Sequence, residues 1–248
     1  MNVQLRWPRI VIFCLVAVGC LSGSGCIWGL HPIEPPPPEV HTVCKAYPPC
    51  CRQHVYIFIV HGMDPFDWAN LAGLRDYVQT LGFHKTYYGQ MYHTLTFDKE
   101  IRRVHAEDPS ARFVLVGFSF GANMVRYLAN SAKADGIPID LLVYFGGNTL
   151  HNEAYDQPEN AARIINILAS GCIWNGAWMD RAENVHETDR WHFGSPSHPQ
   201  SVEMLTRELA VVASQVEVVE EAAAPPPPPS HPGEWDFLKP VSRLKPAR

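Results

Sequence analysis

The stretch Phe113-Val-Leu-Val-Gly-Phe-Ser-Phe-Gly-Ala-Asn-Met-Val-Arg-Tyr-Leu128 indicates how this chain folds. Its first four residues form a continuous apolar run, which is typical of a strand covered on both faces of a parallel sheet. Residues 122–128 suit a helix, and between the two segments Gly117 and Gly121 flank Ser119. Small flanking residues are what a sharp strand-to-helix turn requires. The stretch therefore predicts a turn that exposes Ser119 beside the first amides of a new helix.

Short apolar runs alternate with helical patterns through the rest of the central region. We predict six strands: Val55–Val60, Thr86–Met91, Phe113–Gly117, Leu141–Phe145, Arg163–Leu168 and Asn184–Glu187. Helical stripes lie between most of them, and the last helix is preceded by Ser197-His-Pro-Gln200, which has the form of a capping box. This alternation favours right-handed crossovers and a layered α/β sheet. Functional residues in such sheets lie beyond the carboxyl ends of the strands.

The amino-terminal residues 1–20 are typical of a signal for export. Arginines precede the apolar run from Ile10 to Val18, and small residues follow it. Ala17-Val-Gly-Cys20 resembles a bacterial lipoprotein processing site, which implies lipidation of Cys20, with Cys26 as a weaker candidate. An ordinary signal peptide and an uncleaved anchor are the alternatives. We expect an exported protein of the bacterial cell envelope or periplasm, tethered to a membrane by an N-terminal lipid.

Proline-rich segments flank the predicted domain, which spans residues 54–214. Residues 21–53 contain Pro35–Pro38 and several cysteines, and we interpret them as a semi-rigid polyproline II spacer. Residues 215–248 contain Pro225–Pro229, and we expect a disordered tail there. An exported chain can carry disulfides, but the order of its cysteines does not select a pairing.

Composition excludes several classes of partner. The 248 residues carry a formal net charge of -5 with scattered basic side chains, so we expect no nucleic-acid partner. Cys44, Cys50 and Cys51 lack the paired spacing and partner histidines of a zinc site, so we predict no metal site. A hydrophobic fraction of 46% fits one globular domain with tails. The oligomeric state is not predicted.

A second motif, Val60-His-Gly-Met63, ends the first predicted strand. Together with the Ser119 turn and a late histidine, it resembles the α/β-hydrolase superfamily, particularly its small lipase- and esterase-like members, over residues 54–214. The resemblance implies a three-layer α/β sandwich with a mostly parallel sheet of about six strands. The first antiparallel strands of that fold are not expected, because Pro-rich sequence precedes Val55. The resemblance also implies that Ser119 is a nucleophile and that the backbone amides of Met63 and Phe120 form an oxyanion hole.

The resemblance implies a histidine base late in the chain, after an acid. His192 follows the last predicted strand, where the family places its base. His198 is the alternative, but it lies at the start of the last helix, where the helix dipole opposes the imidazolium that a base must form. His186 falls within the predicted strand. We therefore predict His192 as the base.

The orienting acid is the third member that the resemblance implies. Asp180 is the first carboxylate after the fifth predicted strand, and we assign it this role. The family's usual position, nearer Cys172 or Asn175, holds no acid in this sequence. Asp156 and Glu153, after the fourth strand, are the alternatives, and Glu183 is a more distant one.

These residues predict a serine hydrolase that cleaves carboxylic esters, as an esterase or lipase does, through an acyl-enzyme on Ser119 and without a cofactor. Aromatic residues are dense around the motifs and favour an apolar acyl substrate; they are Phe66, Trp68, Phe118, Phe120, Trp174, Trp178, Trp191 and Phe193. The alternative is a catalytically inactive member of the same fold that serves as a binding or structural lipoprotein of the cell envelope.

Overall fold

Six parallel strands form one sheet in this computed structural model, which describes residues 31–147, 157–170 and 175–216. The strands are β1 Val55–Val60, β2 Thr86–Gly89, β3 Arg112–Phe118, β4 Leu141–Phe145, β5 Ile164–Ser170 and β6 Glu183–Trp191. They lie in the order β2-β1-β3-β4-β5-β6, and every neighbouring pair is parallel. All six carboxyl ends therefore meet at one edge of the sheet. The described residues hold no antiparallel strand before β1, as the sequence predicts.

Helices cover both faces of the sheet. They are α1 Pro38–Ala46, α2 Pro49–Gln53, α3 Leu71–Thr80, α4 Thr94–Glu107, α5 Gly121–Ala134 and α6 Pro199–Ser214, with short 3-10 helices at Met91–His93 and His192–Ser197. Alternate residues of a strand point to opposite faces, so Ile57 and Ile59 of β1 join the core beneath α3 and α6. Phe58 and Val60 join the core beneath α4 and α5. The predicted three-layer α/β architecture is confirmed.

The prediction of a polyproline II spacer over residues 21–53 is wrong for residues 38–53. Residues 38–53 form α1 and α2, and Cys44 on α1 is fully buried, with its thiol donating to the Thr206 carbonyl of α6 at 3.1 Å. The prolines do not prevent these helices, because Pro38 and Pro49 occupy first helical positions, where proline's fixed φ suits the helix and no amide is needed. Residues 21–30 lie outside the described residues.

The capping box predicted before the last helix is also wrong. Helix α6 begins at Pro199, and its cap residue His198 makes no side-chain cap hydrogen bond. The hydroxyl of Ser197 instead donates to the Gly194 carbonyl at 3.1 Å, within the preceding 3-10 helix. Proline at the first helical position again starts the helix.

Several predictions for the ends of the chain fall outside the described residues. These are the signal segment 1–20, the lipidation candidates Cys20 and Cys26, and the tail from residue 217 onward. Cys172 also lies outside, while Cys44, Cys50 and Cys51 carry free thiols. Within the described ranges, no helix has the length and apolarity needed to span a bilayer.

Candidate active site

Ser119 lies at the carboxyl end of β3 in a strained backbone conformation. Its φ is 55°, in the left-handed region that non-glycine residues rarely adopt. The turn is held on both sides: the Ser119 amide donates to the Phe145 carbonyl of β4 at 2.9 Å, and the Ser119 carbonyl accepts from the Ala122 amide of α5 at 3.0 Å. Strain of this kind costs on the order of 1–3 kcal/mol and is concentrated at functional sites. The predicted strand, turn and helix are all present.

Close backbone approach explains the glycines of this turn. A Cβ added to Gly121 would lie 2.1 Å from the Val60 carbonyl oxygen of β1. One added to Gly117 would lie 2.6 Å from a methyl group of Val125. One added to Gly62 would lie 2.7 Å from the Phe120 nitrogen. No side chain fits at these positions, so glycine is required at each for β1, β3 and α5 to meet around Ser119.

The two backbone amides predicted to form an oxyanion hole belong to segments that contact each other. Gly62 touches the turn beside the Phe120 amide, which places the residue before Met63 against the residue after Ser119. Within the described part of the chain, neither the Met63 nor the Phe120 N–H donates to a backbone carbonyl. Phe120 also caps α5, whose amino-terminal end favours negative charge.

His192 begins the 3-10 helix that directly follows β6 and is 2% exposed. Its ring packs on the ring of Phe118, with centroids 4.7 Å apart, and Phe118 immediately precedes Ser119. Phe193 contacts the same Phe118 ring, with centroids 5.8 Å apart. The structure thus brings the predicted base to the strand end that carries the predicted nucleophile.

His198 is engaged by two carboxylates of β6. Its Nδ1 lies 3.0 Å from Glu187 Oε1, and its Nε2 lies 3.2 Å from Asp189 Oδ1. A base must leave one ring nitrogen for the serine proton, so these contacts favour His192 over His198. His186 is exposed on β6, within a strand as predicted.

The structure does not bring Asp180 to His192. Asp180 is exposed and lies three residues before β6, whereas His192 follows the other end of that strand. Glu183 and Trp191 lie opposite Ile165 and Ser170 of β5, so at about 3.3 Å per residue the two ends of β6 are roughly 17 Å apart. Glu183 begins β6 and pairs with Arg163, also away from the carboxyl edge. Asp156 and Glu153 lie outside the described residues.

Sequence reasoning missed a buried carboxylate, Glu187, in the middle of β6. Its side chain is fully buried and accepts a hydrogen bond from the Ser201 hydroxyl at 2.5 Å. Burial raises the pKa of this carboxyl, while the Ser201 hydrogen bond and nearby His198 oppose the rise. The residues around Glu187 on the strand are mostly exposed, so no apolar pattern marks this position as buried.

Sequence reasoning also missed a cluster in which His61 contacts two aspartates. His61 is fully buried, with Nε2 2.6 Å from Asp67 Oδ1 and Nδ1 4.0 Å from Asp64 Oδ2. Asp64 also accepts from two backbone amides at 3.0 and 2.9 Å, and Asp67 from two at 2.8 and 3.1 Å. The cluster shapes the segment of residues 61–70, which we call the oxyanion loop. Aspartates just before a helix are a recognisable turn signal.

The same three side chains are of a kind that binds metal ions. One ligand atom from each lies within 4.8 Å of the others. However, the two carboxylates already accept four backbone amides, and His61 Nε2 already bonds Asp67. The hydrogen bonds therefore account for the cluster as a structural element of the loop.

The segment before α1 contacts both the oxyanion loop and the end of β6, next to His192. The His31 carbonyl accepts from Asn70 Nδ2 of the loop at 2.9 Å. Three residues later, Glu34 accepts from Arg190 of β6 at 2.9 Å. The His31 ring also lies 6.1 Å from the ring of Trp191, next to His192. Three parts of the chain that are distant in sequence are thus linked beside the candidate site.

Comparison with known proteins finds similarity at the level of fold. The sequence matches no protein-family model and no curated protein. One similar structure is a candidate hydrolase of the alpha/beta superfamily from Xanthomonas campestris pv. campestris, 14% identical, with 64% of this chain and 98% of that chain covered and a TM-score of 0.44. Another is a predicted CIB-like hydrolase from Thermoplasma acidophilum, 12% identical, with 64% and 86% covered and a TM-score of 0.40. The six-stranded parallel sheet and the serine turn after its third strand make this chain α/β-hydrolase-like in fold.

Proposed function

We propose that this protein is a serine hydrolase that cleaves carboxylic esters, with Ser119 as nucleophile and His192 as base. The observation that carries the proposal is the strained φ of Ser119 at the carboxyl end of the central strand β3. A serine with no chemical role would not require this conformation, since glycine would adopt it at lower cost. The turn that holds Ser119 lies at the edge where parallel sheets place their active sites.

The proposed reaction is acyl transfer to water. His192 takes the proton of Ser119 as the hydroxyl oxygen attacks the ester carbonyl and forms a tetrahedral intermediate. The amides of Met63 and Phe120 stabilise the oxyanion, each contributing about 3–4 kcal/mol to lowering the barrier. The intermediate collapses as His192 returns the proton to the leaving alcohol. Water, activated by His192, then hydrolyses the acyl-enzyme and regenerates Ser119.

An orienting acid for His192 is part of the proposal. We assign it to Asp156 or Glu153, in the segment that follows β4. The strand β4 ends at Phe145, at the same edge of the sheet as Ser119. Asp180, which the sequence suggests first, and Glu183, its most distant alternative, lie near the amino end of β6 instead.

Covalent labelling with a fluorophosphonate tests the nucleophile. We expect the wild-type protein to be labelled and Ser119→Ala and Ser119→Gly to be unlabelled, while Ser214→Ala, at an exposed serine on α6, labels like wild type. We also expect Ser119→Gly to be more stable than Ser119→Ala by about 1 kcal/mol in urea denaturation, because only glycine relieves the left-handed strain. An unlabelled wild-type protein would refute the enzymatic proposal and favour the binding or structural role.

A further inference from the structure

A groove lies between the start of α4 and the start of α5. Its volume is about 490 Å³, within the range of small-molecule sites. One wall is formed by Met91, Tyr92 and Leu95, after β2. The other wall is formed by residues on the first two turns of α5, namely Asn123, Met124, Arg126 and Tyr127.

The groove begins next to the candidate nucleophile. Asn123 is one helical turn beyond Ser119, and its amide donates to the Phe120 carbonyl at 3.1 Å. On the other wall, Met91 lies two residues beyond Gly89, whose carbonyl accepts from the His61 amide at 2.8 Å. Both walls therefore start at the carboxyl edge of the sheet, beside the serine turn and the oxyanion loop.

The lining of the groove is mostly apolar and open to solvent. Tyr92 is 74% exposed, Leu95 65% and Tyr127 49%, so three large apolar side chains face water side by side. Neighbouring exposed apolar side chains of this kind mark binding sites. Two methionines complete the walls and adapt easily to the shape of a ligand. Arg126 brings one positive charge to the lining, beside the polar side chains of Thr94 and Asn123, and no carboxylate lines the groove. The apolar side chains form the larger part of the lining, which suits a flexible hydrocarbon chain.

We infer that this groove binds the aliphatic acyl chain of the ester, with the scissile carbonyl at Ser119. The inference rests on the proposed function and specifies its substrate class: esters with an extended acyl chain rather than acetate esters. The preference for longer acyl chains arises from contact of successive methylene groups with Tyr92, Leu95 and Tyr127. Each methylene group that is buried in this way removes apolar surface from water.

The first test compares p-nitrophenyl octanoate with p-nitrophenyl acetate. We expect kcat/KM of the wild-type protein to be higher for octanoate. Leu95→Asp places a charge in the groove at an exposed position of α4, where an acidic residue suits the first turn. This variant should lower the octanoate-to-acetate ratio of kcat/KM at least tenfold. Val211→Asp, at an exposed apolar position of α6 away from the groove, should leave the ratio unchanged.

The second test measures binding without turnover. Ser119→Ala protein is titrated with the fluorescent fatty acid cis-parinaric acid, and adding Leu95→Asp should weaken Kd at least tenfold. Ser119-dependent hydrolysis with the same octanoate-to-acetate ratio in wild type and Leu95→Asp would overturn the groove assignment alone. Absence of any wild-type hydrolysis would overturn the proposed function. A dimer by light scattering that Leu95→Asp converts to monomer would assign the groove to a second copy of the chain and overturn the inference.

Discussion

At the scale of single residues, steric limits position the candidate chemistry. Ser119 is held in a left-handed conformation because β3 and α5 meet at a turn where Gly117 and Gly121 leave no space for side chains. His192 reaches the same place from the other end of the domain, and its buried ring packs on Phe118. A buried imidazole forms a cation during catalysis at a high cost unless a carboxylate lies near it.

That requirement gives a prediction for the acid. We expect either Asp156→Asn or Glu153→Gln to lower kcat for p-nitrophenyl acetate by about 10⁴-fold, the effect typical of a triad acid lost without change of shape. Initial rates of purified variants measure it. Asp180→Asn is the matched control and should stay within about twofold of wild type, because it removes a charge from the distant end of β6. A large loss in Asp180→Asn, with none in the other two, would contradict the assignment.

At the scale of elements, the oxyanion loop is held by its own side chains. Asp67 and Asn70 both have a φ of 54°, and both accept amides of the first turn of α3. Asn70 caps that helix by accepting from the Gly73 amide at 3.1 Å, and it also donates to the His31 carbonyl. One asparagine thus links the loop that carries Met63 to the segment that precedes α1.

We predict that Asn70→Ala destabilises the protein by about 2 kcal/mol, about half from the lost cap and half from left-handed strain on alanine. Asn70→Gly loses the same contact to His31 but avoids the strain, so it should be more stable than the alanine variant by about 1–2 kcal/mol. Urea denaturation followed by circular dichroism measures both. Equal stability of the two variants would show that the backbone of residue 70 does not require a left-handed conformation.

At the scale of the whole molecule, buried ionisable groups link stability to pH. Glu187 is buried between β6 and α6, where burial raises the pKa of its carboxyl. The folded protein therefore keeps this proton to a higher pH than the unfolded chain does. Where the folded state binds more protons, the free energy of unfolding falls as pH rises. The fall starts near the ordinary pKa of glutamate, about 4.3, and ends above the raised folded pKa.

Replacing Glu187 with glutamine removes this titration. We expect the stability of Glu187→Gln relative to wild type to increase as pH is raised from about 4 to 7, by about 1.4 kcal/mol for each unit by which the folded pKa is raised. Urea denaturation across that pH range measures the difference in stability. Both proteins keep the neighbouring side chains of His198 and Asp189, so only the carboxyl of residue 187 differs. Glu203→Gln, on the outer side of α6, is the control and should give no such trend. A difference that does not change with pH would contradict the prediction.

Local patterns in the sequence were sufficient to predict the strands, the order of elements and the serine turn. β1 and β4 have the predicted bounds, because continuous apolar runs mark strands buried on both faces. β6 extends to Trp191, beyond the predicted Glu187, since an edge strand with mostly exposed residues carries little apolar signal. The need for Gly117 also arises locally, because its added Cβ would meet Gly121 and Val125, whereas Gly121 and Gly62 are required by contacts between β1 and the Ser119 turn.

Only the tertiary structure decided which distant side chains meet. The His192 ring packs against Phe118, and both ring nitrogens of His198 lie within 3.2 Å of carboxylate oxygens. Asp180 lies before the amino end of β6, away from His192. The tertiary structure also packed α1 onto α6 through Cys44, where proline content had suggested a spacer. The physical reason is the range of the forces involved: periodicity and backbone sterics act between near neighbours in sequence, whereas these contacts depend on the stacking of whole layers, which no short segment encodes by itself.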